Sequence, residues 1–295
     1  MAASDRTMAG KTCLITGATS GIGFVAAREL AARGATVVLV GRSAKKCEEC
    51  VAAIKQATGN EQVESLLGDL SLQRDVRAVA AKFREKHDRL HVLLNNAGAV
   101  CAERQVTGEG MEMTLAVNHL SGFLLTNLLL DTIRASAPAR IINVSSAAHA
   151  WAKIDFDDLQ SEKGYSGFPV YGQWKLANVL TAYELARRLE GTGVTANALH
   201  PGIIRSGFGR SAGGFIGFFV KAASLFMSTP EQGAATSVYL ATSPEVEGIT
   251  GKYFSNRKPR RSSKVSYDEA VARRLWEASE KLTQGEPGRA ATAST

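Results

Sequence analysis

A chain of 295 residues, 45% apolar and 21% charged, has the make-up of a globular protein with a large core, not that of a disordered or fibrous one. No apolar run reaches the ~18 residues of a membrane-spanning helix. Residues 1–10 lack the apolar stretch of a secretion signal, so a cytoplasmic protein without disulfides is expected. The net charge of +7 is partly local: Arg257, Lys258, Arg260, Arg261 and Lys264 fall in one run. Without interleaved aromatics that run reads as a solvated loop, and no nucleic-acid partner is expected.

Short β-branched runs alternate with longer helical stretches. Strands are predicted over residues 12–16, 36–40, 63–67, 91–94, 140–144 and 194–199. Helices are predicted between them over 21–33, 43–57, 72–87, 109–134 and 171–190. The run Thr36-Val37-Val38-Leu39-Val40 has no polar face, as in a strand buried on both sides. Strand alternating with helix implies an α/β fold: a single-domain, Rossmann-type, doubly wound parallel sheet with helices on both faces. Its ligands bind beyond the carboxyl ends of the strands. After residue 200 the alternation weakens into a segment, 207–227, that holds five of the eleven phenylalanines. A helix over 230–242, a strand over 252–254 and a helix over 267–282 follow. Residues 1–8 and 285–295 read as disordered tails, leaving one domain over 9–284.

The first strand runs into Thr16-Gly17-Ala18-Thr19-Ser20-Gly21-Ile22-Gly23 and then a helix. Gly17 permits a tight turn, Gly21 admits a pyrophosphate close to the backbone, and Gly23 lets the helix pack tightly. The amides of Thr19, Ser20, Gly21 and Ile22 then face phosphate at a helix N-terminus. The second strand ends Val40-Gly41-Arg42-Ser43, with no carboxylate for a ribose 2′-hydroxyl. The forked guanidinium of Arg42 suits a 2′-phosphate, so NADP(H) is preferred to NAD(H).

Tyr171 and Lys175 stand four apart, on one helix face. A phenol ionises near ~10, and a neighbouring ammonium lowers that value, which makes a usable general acid/base. Ser145 and Ser146 close an apolar strand, where a hydroxyl can hold a substrate carbonyl. Cys47 and Cys50 form a CxxC without a second pair. They read as incidental thiols on a helix, and no metal site is expected.

These motifs resemble the classical short-chain dehydrogenase/reductase family, in order along residues 8–283. The glycine loop is similar to that family's TGxxxGxG. Asp69-Leu70 is similar to its adenine-contacting pair, Asn95-Asn96-Ala97-Gly98 to its NNAG segment, and Pro201-Gly202 with Ser206 to its nicotinamide-side PG segment. The resemblance implies that Asn118, Ser146, Tyr171 and Lys175 are catalytic. It implies cofactor contacts from Asn95, Ala97, Gly98, Pro201, Gly202, Ile204 and Ser206, and from Tyr171 and Lys175. Of the two serines it selects Ser146, 25 residues before Tyr171. The stretches Asp158-Leu159-Gln160-Ser161-Glu162-Lys163, Lys175-Leu176-Ala177-Asn178-Val179-Leu180, His200-Pro201-Gly202 and 243–253 resemble the retinol-dehydrogenase-like subgroup. Trp174 departs from the serine common before the lysine, and is expected to alter packing and the pocket wall.

The implied reaction interconverts a carbonyl and an alcohol by hydride transfer. Tyr171 moves the proton, Ser146 holds the oxygen, Lys175 tunes the tyrosine and binds ribose, and Asn118 supports a water chain. In the family, the segment corresponding to 207–227 is the lid over a small-molecule substrate. Its phenylalanines fit a lipophilic substrate, packing onto the core, or contact with a membrane surface. A homo-oligomer through the long central helices is a further expectation. Two other functions stay open: a non-catalytic NADP(H) sensor, and a reductase of conjugated C=C bonds.

Overall fold

The computed structural model describes residues 6–202 and 229–284. Its centre is one sheet of eight strands in the order β3-β2-β1-β4-β5-β6-β7-β8. The strands are β1 (Thr12–Thr16), β2 (Thr36–Gly41), β3 (Val63–Leu67), β4 (Val92–Asn95), β5 (Ala139–Val144), β6 (Val194–His200), β7 (Tyr253–Ser255) and β8 (Lys258–Arg260). Pairing is parallel from β1 through β7, and β8 returns antiparallel to β7. The expected doubly wound architecture is present. The order reverses between β1 and β4, so the ligand crevice opens there, at the carboxyl ends of these two strands.

The all-apolar strands follow from burial on both faces. Cys13, Ile15, Val37 and Leu39 enter one core cluster with Leu30, Val238 and Phe254. The intervening Leu14, Val38 and Val40 enter another, with Phe83, Leu125 and Trp276. Successive side chains of a strand alternate between faces, so β2, covered on both faces, carries apolar side chains towards both.

The helices are α1 (Gly21–Ala32), α2 (Ala44–Thr58), α3 (Gln73–Lys86), α4 (Met113–Leu115), α5 (Ser121–Leu128), α6 (Leu130–Arg134), α7 (Gly167–Arg188), α8 (Pro230–Thr242) and α9 (Glu269–Gln284). The single helix predicted over 109–134 is instead three pieces with a π-helical turn, Ala116–Leu120, between α4 and α5. Its start is fixed by Glu112, whose fully buried carboxylate accepts hydrogen bonds from the Thr114 and Leu115 amides at 2.8 and 2.6 Å. Residues 107–110 form a turn closed by Gly110 at φ 79°, so they cannot extend the helix. α7 begins at Gly167, one turn before the predicted start, and this places Tyr171 in its second turn.

The basic run is a corrected expectation, since part of it is the edge strand β8 and not a loop. Asn256 and Arg257 take left-handed backbone, φ 52° and 60°, in a two-residue hairpin between Ser255 and Lys258. Lys258, Pro259 and Arg260 are exposed, and charge with proline protects an edge from further strand pairing.

α9 lies across α7 and the π-turn. Ala272, Leu275 and Trp276 are buried there, and the His119 ring nitrogen Nε2 meets Ser279 Oγ at 2.7 Å. Gln73 Nε2, at the start of α3, donates to the Leu282 carbonyl at 2.8 Å. Among the described residues no helix is long and apolar enough to cross a membrane.

Candidate active site

The glycine loop is shaped by backbone contact. A Cβ on Gly17 would lie 2.9 Å from Ala97 Cα, and one on Gly23 would lie 2.5 Å from the Gly17 carbonyl oxygen. Gly21, at φ 54°, has no atom of the described residues within 4 Å of such a Cβ. Ser20 precedes α1 without its hydroxyl capping the helix, and no acidic residue sits in the first turn. The opening amides of α1 therefore have no side-chain cap and no acidic neighbour among the described residues, and carry the partial positive charge of a helix N-terminus. That open cradle fits a pyrophosphate. Arg42 is exposed directly after β2, whose last residue, Gly41, is packed against Thr19 of the loop. The CxxC lies beneath the same loop: Cys50 Sγ approaches the Thr19 carbonyl at 3.5 Å, and buried Cys47 packs against Gly41. Asp69 follows β3, and its carboxylate accepts from the Ser71 amide at 2.9 Å. Leu70 is half-buried beside the second core cluster.

The NNAG segment is clamped to this loop by a residue that the motif reading left out. Asn96 Nδ2 donates to the Thr16 and Gly17 carbonyls at 2.9 and 3.2 Å. Thr16 Oγ1 accepts from the Asn96 and Ala97 amides at 2.9 and 3.0 Å. Asn95 points inward, its amide donating to Thr126 Oγ1 and Asn143 Oδ1, both at 3.0 Å. The only signal for Asn96 was its place inside the NNAG motif; Thr16 had none beyond opening the glycine loop.

Gly98 brings the next group together. A Cβ there would sit 2.9 Å from Asn118 Oδ1 and 3.2 Å from Lys175 Nζ. Asn118 lies within the π-turn, where its amide donates to the Ala99 and Thr114 carbonyls at 2.7 and 2.9 Å. Local π-helix is frequent at functional sites. The buried Lys175 donates from Nζ to the Val144 carbonyl at 3.1 Å and stands 5.5 Å from the centre of the Tyr171 ring. Asn178, one turn further along α7, donates to the same carbonyl at 3.1 Å.

Ser146 stands two residues beyond the end of β5, and its hydroxyl acts on the Tyr171 phenol, favouring the ionised form. It also opens the 3-10 turn Ala147–Trp151, accepting from the Ala148 amide at 3.3 Å. Ser145 is spent elsewhere: its hydroxyl donates to the Lys175 carbonyl at 2.7 Å, which ties α7 to β5. His149 holds the turn from behind. The Ser263 amide donates to its Nε2 at 3.2 Å, so Nδ1 carries the proton and donates to the Ser146 carbonyl at 2.6 Å. Burial lowers the His149 pKa and favours this neutral ring.

Burial also governs the central pair. It pushes the Tyr171 phenol up to about 12, against the lowering effect of the Ser146 hydrogen bond. It lowers Lys175 to about 8. The expectation of a phenol lowered by its lysine gives way to desolvation of both groups. Trp174 is no pocket wall: it is fully buried, stacked on His119 at 5.7 Å between ring centres. Pro201 and Gly202 follow β6, while Ile204, Ser206 and the 207–227 segment lie outside the described residues.

A nucleotide cradle, a hydroxyl pair and a buried ammonium thus meet at the carboxyl ends of β1, β4 and β5. The family model described as short chain dehydrogenase matches residues 11–213. The chain belongs to the short-chain dehydrogenase family. Within that family it is retinol-dehydrogenase-like. It is 44% identical to human retinol dehydrogenase 13 over 285 residues, covering 95% of this chain and 86% of that protein. It is 45% identical to human retinol dehydrogenase 12 over 270 residues, covering 92% and 85%. Among solved structures it is similar to an uncharacterised protein of Mycobacterium paratuberculosis, with TM-score 0.76, 33% identity, and 95% and 96% of the two chains covered. It is similar also to RhlG of Pseudomonas aeruginosa in an NADP active-site complex, with TM-score 0.69, 28% identity, and 85% and 96% covered. As a short-chain dehydrogenase this chain is an oxidoreductase that uses a nicotinamide cofactor and acts on a small molecule.

Proposed function

We propose that the protein is an NADP(H)-dependent oxidoreductase interconverting a lipophilic aldehyde or ketone and its alcohol, with Tyr171 as general acid/base. The observation that carries this reading is the Ser146–Tyr171 hydroxyl pair, backed by buried Lys175 at the sheet's switch point. A dinucleotide held by Gly17, Thr19, Ser20, Gly21, Ile22 and Gly23 supplies or takes up the hydride.

In the reducing direction Tyr171 gives its proton to the carbonyl oxygen, and Ser146 holds that oxygen by a hydrogen bond. Ser146 opposes the rise of the phenol pKa that burial causes, making proton loss easier. Lys175 binds the nicotinamide ribose, and Asn118 fixes the π-turn and the Ala99 backbone around it. Arg42 pairs with a 2′-phosphate beside Thr19, Asp69 and Leu70 border the adenine, and Pro201 and Gly202 border the nicotinamide. The NADP held by RhlG supports this cofactor preference, and the retinol dehydrogenases support an apolar substrate by their names.

The deciding experiment follows NADPH oxidation with a series of aldehydes and ketones. Wild type turns over apolar members, and Tyr171→Phe loses activity by about a hundredfold or more. A Tyr171→Phe enzyme with undiminished rate refutes the proton-transfer role. Arg42→Asp shifts preference towards NADH; an unchanged NADPH/NADH ratio rejects Arg42 as the 2′-phosphate contact.

A further inference from the structure

Ser146 lies between regular elements, at the head of the 3-10 turn Ala147–Trp151. The hydrogen bonds of a 3-10 turn are poorly aligned, so such a turn needs support from outside itself. A hydroxyl that must meet both a substrate oxygen and Tyr171 also needs a fixed backbone beneath it. His149 reaches the Ser146 carbonyl twice, with its backbone amide at 3.2 Å and with Nδ1 at 2.6 Å. The ring bond is the shorter, and the ring carries an anchor that starts elsewhere in the fold.

That anchor runs from residue to residue. The His149 ring is buried against Tyr253 of β7, with ring centres 4.7 Å apart, and its Nε2 accepts from the Ser263 amide at 3.2 Å. The segment around Ser263 is tied down in turn. Ser262 Oγ meets Tyr183 Oη at 2.7 Å and Ser266 Oγ at 2.6 Å, and the Ser262 amide donates to Tyr267 Oη at 3.2 Å. Tyr183 lies on α7, the helix that carries Tyr171. On its other side the turn rests on α7 directly, since a Cβ on Gly172 would lie 3.0 Å from the Ala148 carbonyl oxygen. Ser146 is therefore held from both sides by the helix whose tyrosine it serves.

We infer that His149 is a positioning residue for the reaction: its Nδ1–H, with the ring held by Ser263 and Tyr253, sets the backbone of Ser146 and so aims the Ser146 hydroxyl. The inference rests on the proposed carbonyl–alcohol chemistry. His149 acts through Ser146, so its loss appears in kcat and leaves cofactor affinity alone. Two amide side chains separate the two contacts of the ring. In asparagine the amide nitrogen stands where Nδ1 stands, so it donates to the Ser146 carbonyl but falls short of Ser263. In glutamine the amide lies one bond further out, so it accepts from Ser263 and leaves the Ser146 carbonyl without its short bond.

The test measures kcat with NADPH and decanal, and NADPH affinity by fluorescence titration, in wild type, His149→Gln and His149→Asn. His149→Gln loses kcat by about tenfold or more with NADPH affinity unchanged, while His149→Asn stays within about threefold of wild type. A residue that only fills space lowers both variants alike or neither, and either result overturns the inference while leaving the proposed function standing. A second readout is independent of turnover. Hydrogen exchange at the Ala148 amide, which donates to Ser146 Oγ, quickens about tenfold in His149→Gln and matches wild type in His149→Asn. If His149→Gln does not fold, His149→Ala, which also lacks the donor, takes its place in both measurements. If wild type reduces no carbonyl compound, the proposed function fails. The exchange then decides the positioning by itself: the split between the two variants supports it, and equal exchange rejects it.

Discussion

Lys175 is an ammonium group with 3% exposure, held by one carbonyl and faced by a phenol, with no carboxylate paired to it among the described residues. Its pKa falls from 10.5 in an open chain to about 8 in the fold, because burial penalises the charged form. For a base lowered in this way the fold carries the full cost of the charge below about 8. The cost shrinks as pH rises from 8 to 10.5, where the unfolded chain also gives up its proton. The displacement corresponds to about 3 kcal/mol at neutral pH. In Lys175→Met the charge is gone, and the Val144 carbonyl keeps its hydrogen bond from Asn178. Allowing about 1 kcal/mol for the lost lysine hydrogen bond, the cofactor-free variant should be more stable by about 2 kcal/mol. Its melting temperature should rise by about 4 °C or more. Scanning calorimetry at about pH 7 and about pH 9.5 measures both, and near the higher pH the charge cost falls to about 1.4 kcal/mol. A variant that melts at or below wild type at pH 7, or a difference that does not change with pH, refutes burial as the cause of the shift. Catalytic rate should fall in the same variant, so stability and activity move in opposite directions.

Three other outcomes are expected. Gly23→Ala drives a methyl group into the Gly17 carbonyl and Asn96 Nδ2, and isothermal titration should find cofactor affinity reduced by about tenfold or more, while Gly21→Ala, facing open space, pays chiefly for its φ of 54°. Ser146→Ala should lower kcat by about a hundredfold with little change in melting temperature, whereas Ser145→Ala, which frees the Lys175 carbonyl, should cost about 1–2 kcal/mol of stability in urea titration. Burial lowers His119 from 6.5 to about 4, so the unfolded chain binds a proton that the fold refuses. Stability is therefore full above 6.5 and falls by about 3 kcal/mol as pH drops towards 4. His119→Gln should flatten that part of the urea-midpoint profile, and an unaltered profile would assign the acid sensitivity to other groups.

Features written in neighbouring residues were legible without a structure. β1, the glycine loop and the start of α1 are contiguous, and each glycine is demanded by a contact or a conformation that only glycine tolerates. The two-sided burial of β2 was plain from its lack of a polar residue. Features that depend on partners far along the chain were hidden. Residues 109–112 look like an acidic first helical turn, yet Glu112 folds back as the cap and the preceding turn is non-helical. The π-turn holding Asn118 leaves no mark in apolar periodicity, because one inserted residue shifts the pattern by less than a full helical repeat. β8 was missed because Asn256-Arg257 is not a glycine-containing turn and Lys-Pro-Arg has no strand propensity. Tyr171 and Lys175 were found by spacing, but the direction of the phenol shift depends on how much water the fold removes, which spacing does not express.

The contacts of α9 bear on the order in which the protein takes shape as it is made. Residues near the start of the chain build the cradle, and those up to Lys175 build the hydroxyl pair. Yet His119, beside Asn118, is held by Ser279, and α7 keeps one flank exposed to water until Leu275 and Trp276 arrive. On the ribosome, an intermediate with a finished dinucleotide half and an unsealed catalytic half must therefore wait for the last helix. Its bare leucines and Trp174 are the surface that a chaperone would meet.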